Sequence, residues 1–88
     1  MKNLLEAFTE KYDIPEQTVI REPVIEMYGC HALRIEGHRG VESFAEEEIL
    51  LRADKMKLKI KGSELRIDAM TASSILISGL IFELSCLF

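Results

Sequence analysis

Cysteine is scarce: Cys30 and Cys86 are the only two in 88 residues, too few for the disulfide framework that holds small secreted domains together. Reduced thiols, as in a cytosol, are the expectation. No run of proline, glycine or serine marks a linker or a disordered tail. Basic charge is in deficit, with a formal net charge of −4 and a pI near 5.1. That excludes indiscriminate nucleic-acid binding, which needs a basic footprint to displace counterions, though a localised basic patch stays open. Long apolar runs are missing too. The most apolar window, Ile75 to Phe88, is shorter than the roughly 20 residues of a membrane helix and is interrupted by Ser78, Gly79, Glu83 and Ser85. No transmembrane span is expected. Met1, Lys2 and Asn3 lead into a stretch containing Glu6 and Glu10, unlike the apolar core of a secretory signal.

What is present is globular: 48% hydrophobic and 30% charged residues. The length predicts a single domain over residues 1–88 with a thin core, burying only roughly 60–65% of its unfolded surface. Leu4, Leu5, Phe8 and Tyr12 recur at helical spacing, with Lys2, Glu6, Glu10 and Lys11 mostly on the other side; this predicts one short amphipathic helix within 1–13. Asp13, Ile14 and Pro15 end it, because a proline pushes its predecessor out of the α region. Such a helix can cover an open sheet face or, alternatively, anchor in a membrane interface, for which it has few basic residues.

From Pro23 the period changes. Strands are predicted at Val24 to Tyr28, Ala32 to Glu36, Val41 to Phe44, Ile49 to Ala53, Met56 to Ile60 and Leu65 to Met70, each stopped by turn or acidic residues. Turn signals this close together favour hairpins, since parallel crossovers need a dozen or more residues. The expected fold is mainly β, a small antiparallel meander (sheet, roll or sandwich) with the N-terminal helix. Met56, Leu58 and Ile60 alternate with lysines, and Leu65, Ile67 and Ala69 with Arg66 and Asp68, so these two segments are expected to pair as a hairpin across Gly62, Ser63 and Glu64.

Candidate sites have competing readings. His38 and Arg39 lie between Gly37 and Gly40. They could bind a carboxylate or phosphate, or form a tight hairpin with exposed central residues. Lys55, Lys57, Lys59 and Lys61 form a ladder that could dock on anionic lipid or an acidic partner. It could equally be a solvated face, with Glu42 and Glu46 to Glu48 available to neutralise it across strands. Cys30, His31, His38 and Cys86 have zinc-binding side chains but no ligand spacing, so no metal or other cofactor is expected. No nucleophile motif stands beside either histidine, and an enzyme is not expected.

Ile75 to Phe88 has apolar groups on both faces: Ile75, Ile77 and Ile81 on one, Leu76, Leu80, Phe82, Leu84 and Phe88 on the other. A central strand covered on both sides, a bend at Ser78 and Gly79 that reverses the facing, or a second subunit would each account for this. A homo-oligomer with Leu80, Phe82 and Leu84 in or near its interface is expected.

Several strings also fall in a telling order. Asp13, Ile14 and Pro15 precede Pro23 and the Val24 to Gly29 segment. Leu33, Arg34, Ile35 and Glu36 lead into Gly37, His38, Arg39, Gly40 and Val41. Leu58 to Gly62 precede Leu65, Arg66 and Ile67, and Ile75 to Gly79 precede Ile81. In this order the chain resembles the YabP/YqfC-like family of bacterial sporulation proteins, on its YqfC branch. It departs from the family pattern at Gly37, where asparagine is more usual, and in the longer end Leu84 to Phe88. The resemblance implies a role in endospore formation, within the mother-cell programme that builds the spore envelope, and no established catalytic activity; a cytoplasmic scaffold that acts through self-association or a membrane-bound sporulation protein at the forespore surface is the expectation. The competing function is a small anionic-ligand or lipid-binding module using the lysine ladder and the Gly-His-Arg-Gly turn.

Overall fold

The computed structural model describes residues 22–88; the helix expected within 1–13 lies outside them. Six strands follow: β1 (Val24–Tyr28), β2 (Ala32–Glu36), β3 (Val41–Ala45), β4 (Glu48–Arg52), β5 (Lys57–Met70) and β6 (Ser74–Leu87). They form one sheet in the order β1-β2-β6-β5-β4-β3, with every pairing antiparallel. Two long strands make a central hairpin. The short hairpin β1–β2 lies against the first half of β6, and β3–β4 against the first half of β5.

The architecture is mainly β, as composition and turn spacing suggest, but one local expectation is corrected. Met56 to Ile60 and Leu65 to Met70 do not pair with each other; both belong to the 14-residue β5. Gly62 to Glu64 is a bulged bend in that strand instead of a turn, with Glu64 at φ 54° and register slips against β6 on either side. Turn residues read the same in both settings. The difference is nonlocal: the β3–β4 turn supplies acceptors for the bend, Gly62 N–H donating to Glu47 O (3.0 Å) and Leu65 N–H to Glu46 O (2.8 Å). The β1–β2 turn does the same for β6, where Gly79 N–H donates to His31 O (3.2 Å) and Ile81 N–H to Cys30 O (2.8 Å).

Glycine is required where the two bends meet. A Cβ on Gly62 would collide with the Leu80 carbonyl oxygen, and one on Gly79, whose φ is +132°, would stand 2.7 Å from Glu64 O. Two backbones pack there with no room for a side chain. The bulges raise the local twist and bend the long hairpin, turning the apolar faces of both halves of the sheet to one core.

That core is the period-2 pattern made physical. Leu33 stands opposite Ile77 and Ile35 opposite Ile75, while Ile49 faces Ile60 and Leu51 faces Leu58. All eight are buried, together with Leu65 and Ile81. Each such side chain contributes about 1.5–3 kcal/mol by leaving water. The facing of β6 reverses at Phe82 and Glu83, where its register with β5 slips. Ile75, Ile77 and Ile81 point into the core, and so does Leu84, which is partly buried against it.

Candidate functional site

The segment between β2 and β3 is no hairpin, since β6, β5 and β4 separate those strands in the sheet. It is a link tied down at both ends: Gly37 N–H donates to Ser73 O (2.6 Å), Arg39 N–H to Arg52 O (2.8 Å), and Arg52 N–H to Gly40 O (2.9 Å). Between the ties His38 turns inward and is only 4% exposed. Its Nε2 lies 3.0 Å from Thr71 O and 3.2 Å from Ser74 O, while Gly40 N–H donates to Nδ1 at 3.1 Å. An accepting Nδ1 and two carbonyls at Nε2 define the neutral tautomer protonated at Nε2. His38 thus clamps the β5–β6 turn, itself shaped by Ser73 and Ser74 amides donating to Thr71 Oγ1 at 3.3 and 3.0 Å. His38 is therefore not the exposed central residue of a hairpin, and both its ring nitrogens face groups of this domain. Arg39 stays exposed, 3.8 Å from Asp54, and the structure does not bring it and the imidazole together on a common ligand.

The lysines divide. Lys57, Lys59 and Lys61 alternate along β5 with buried Leu58 and Ile60, but Lys55 precedes the strand and is not part of its ladder. Acids on neighbouring strands interleave with the row. Lys57 Nζ lies 2.9 Å from Glu42 Oε2 and Lys59 Nζ 3.6 Å from Glu48 Oε1; Lys61 stands opposite Glu48 on β4 and Glu83 on β6. Exposed pairs of this kind contribute about 0.2–1 kcal/mol each. Their consequence is electrostatic: the face is charge-mixed, not a cationic strip.

On the other half of the sheet, the outer face holds a shallow, mainly apolar groove of about 550 Å³ lined by Tyr28, Ala32, Arg34, Met70 and Leu76 among others. Its polar neighbours pair with one another. The Tyr28 hydroxyl donates to Glu26, Arg34 Nη2 lies 2.7 Å from Glu36 Oε1, and Ser74 Oγ donates to the same oxygen at 3.0 Å. The bond to Glu26 raises the Tyr28 phenol above its ordinary value. The Asp68 carboxyl is held below the usual carboxylate range, first by the Ser78 hydroxyl and then by Arg66, whose Nε is 3.0 Å away.

The remaining feature is an open strand edge. Pairing of β2 with β6 stops at Ala32 and Ser78, and the β1–β2 turn reaches no further than Ile81 N–H. Beyond that point, among the described residues, Phe82–Leu87 pairs with β5 on one side and with nothing on the other. Leu80, Phe82, Leu87 and Phe88 are exposed, Phe82 by 67% and Phe88 by 98%. Leu84, grouped with Leu80 and Phe82 from the sequence, is partly buried against the core.

Residues 21–86 match the model of the YabP family. A curated relative, "Uncharacterized protein YqfC" of Bacillus subtilis (strain 168), is 33% identical over 81 residues, covering 91% of this chain and 87% of that protein. The chain belongs to the YabP family. The match runs from just before β1 to the next-to-last residue of β6, so the YabP-family unit contains the sheet, both bulged bends, the His38 clamp and nearly all of the open edge. Cys30 and Cys86 are free and exposed in it. Among its described residues no group of three or more His, Cys, Asp or Glu side chains could hold a metal ion, and no helix is long and apolar enough to cross a membrane. The sequence reasoning missed the inward turn of His38 and the acceptor role of the Glu46 and Glu47 carbonyls. Neither has a local signal, since both depend on strands brought together from far apart.

Proposed function

We propose that this protein is a non-enzymatic structural or scaffold factor of spore-envelope morphogenesis, acting in the mother cell through self-association or through a membrane-bound partner. Membership of the YabP family supports the setting, through the sporulation role that the resemblance implies. The observation that carries the mode of action is the edge of β6, where backbone unpaired among the described residues coincides with exposed apolar side chains; such patches are characteristic of interaction surfaces. The polar clusters count in the same direction. His38, the lysine row and the Arg34 and Arg66 groups are engaged with partners inside the domain, which is how a framework uses charge and not how a reacting centre does.

The test is genetic and biochemical. Deletion in the spore-forming host is expected to impair spores and leave vegetative growth normal, and light scattering on the purified chain is expected to show a mass above the monomer's. Strong vegetative expression with a growth defect on deletion would sink the sporulation role. The second reading, a binder of anionic ligands or lipids, predicts co-sedimentation with anionic vesicles that is lost when Lys57 and Lys59 are both replaced by Glu. The pairing of those lysines with Glu42 and Glu48 weighs against it.

A further inference from the structure

We infer that the open edge of β6 pairs antiparallel with the same edge of a second copy about a two-fold axis at Ser85, joining two sheets into one; this rests on the self-association reading above. Sheet edges attract strands because their amides and carbonyls lack partners, and proteins protect them with charges, bulges or short length. The other edges here carry such devices. The free side of β5 presents Arg66 and Asp68, β3 is bulged between Val41 and Ser43, and β1 centres on Glu26, whose carboxylate would meet its own copy in a two-fold pairing centred on that strand. From Leu84 to Leu87 β6 has no charged side chain.

The register follows from three observations. Glu83 to Leu87 runs opposite Lys61 to Lys57 without a slip, so this is the regular part of the strand, and Ser85 is its midpoint. Centring there sets Glu83 opposite Leu87 of the second copy and Leu84 opposite its Cys86, so no like charges meet; centring on Glu83 would oppose two carboxylates. The same register sets the two exposed phenylalanines, Phe82 and Phe88, at the two ends of the paired segment, so that each copy's Phe88 lies beside the other's Phe82 along the seam. An isologous contact of this kind closes on itself and gives a dimer, not a fibre.

The experiment uses the full chain with Cys30→Ser and Cys86→Ser, adding Ser85→Cys. Directly opposed antiparallel residues have Cα atoms about 4.5–5.5 Å apart, within disulfide range. Mild oxidation is therefore expected to give a disulfide-linked species of twice the 10.0 kDa chain mass, absent when the oxidation is done in denaturant. A Glu47→Cys control on the β3–β4 turn is expected to stay monomeric. Phe82→Lys combined with Phe88→Lys is expected to halve the mass seen by light scattering without moving the melting temperature of dilute protein, since both side chains are exposed. A wild-type chain that stays monomeric at high micromolar concentration overturns both the pairing and the self-association reading. A wild-type oligomer in which Ser85→Cys fails to cross-link overturns the pairing alone.

Discussion

The two halves of β6 are one strand in two environments. From Ser74 to Ser78 it runs between β2 and β5, and Ile75 and Ile77 are sealed in the core. From Phe82 to Leu87 it leans, among the described residues, on β5 alone, and most of its large side chains are exposed. Both halves are rich in apolar residues. Their neighbours distinguish them, and these are supplied by β2 and by the β1–β2 turn, which give out at Ile81. Apolar character in a strand therefore marks either a core or an exposed face, and only topology tells them apart.

The largest expected effect lies in the buried half. Ile77→Lys places an unpaired charge where the exposure is 0%, a substitution expected to cost more than about 4 kcal/mol and to abolish cooperative melting. Phe82→Lys, five residues on, is expected to melt within about 0.5 kcal/mol of the parent at dilute concentration, as exposed substitutions usually do. Equal losses for the two in thermal melts would erase the distinction between the halves.

The joint between the halves comes next. Gly62→Ala pushes a methyl group into the Leu80 carbonyl, and backbone yields less readily than a side chain. A loss near the top of the about 1–3 kcal/mol range for overpacking is expected. A melting temperature unchanged from the parent would mean that the hairpin bends elsewhere.

His38→Ala is expected to cost about 1–3 kcal/mol, the range for leaving buried backbone groups without a partner. The carbonyls of Thr71 and Ser74 and the amide of Gly40 would lose the imidazole, loosening the turn that feeds the buried half of β6. Hydrogen exchange should quicken at Ser74 to Ile77 and not at Glu83 to Leu87; uniform quickening would contradict a local clamp.

How much of this could be read in the sequence depended on how local the cause was. β1 and β2 have the bounds that Gly29 and Gly37 suggested, and β3 and β4 lie within a residue of theirs, because stops of that kind act within a few residues. Leu58 and Ile60 were legible as core from alternation alone. Gly62 to Glu64 was not legible as a bend, since its acceptors sit on Glu46 and Glu47. The reversal of facing in β6 falls at Phe82 and Glu83, beyond the Ser78 and Gly79 pair that signalled it, because a slip against β5 sets it. Of the candidate site, the exposure of Leu80 and Phe82 was visible as apolar excess on a second face. The burial of His38 was hidden, for the β5–β6 turn that covers it arrives more than thirty residues later.

The smallest effect is expected beside the open half. Lys57→Glu with Lys59→Glu replaces two attractive contacts, to Glu42 and Glu48, with like-charge neighbours. Exposed pairs contribute about 0.2–1 kcal/mol each, and repulsions across a strand are of similar size. The double variant should therefore remain folded, lose at most a few degrees of melting temperature, and recover part of that loss in high salt, where exposed charges are screened. The position makes the test a sharp one. Glu42 lies on β3 and Glu48 on β4, so if charge rather than the buried Leu58 and Ile60 face held the β3–β4 hairpin to β5, this is where it would be felt. A collapse comparable to that of Ile77→Lys would show that the β5 support on which the outer half of β6 leans depends on its ion pairs with β3 and β4, and the contrast between the halves would have to be redrawn as one between apolar and electrostatic support.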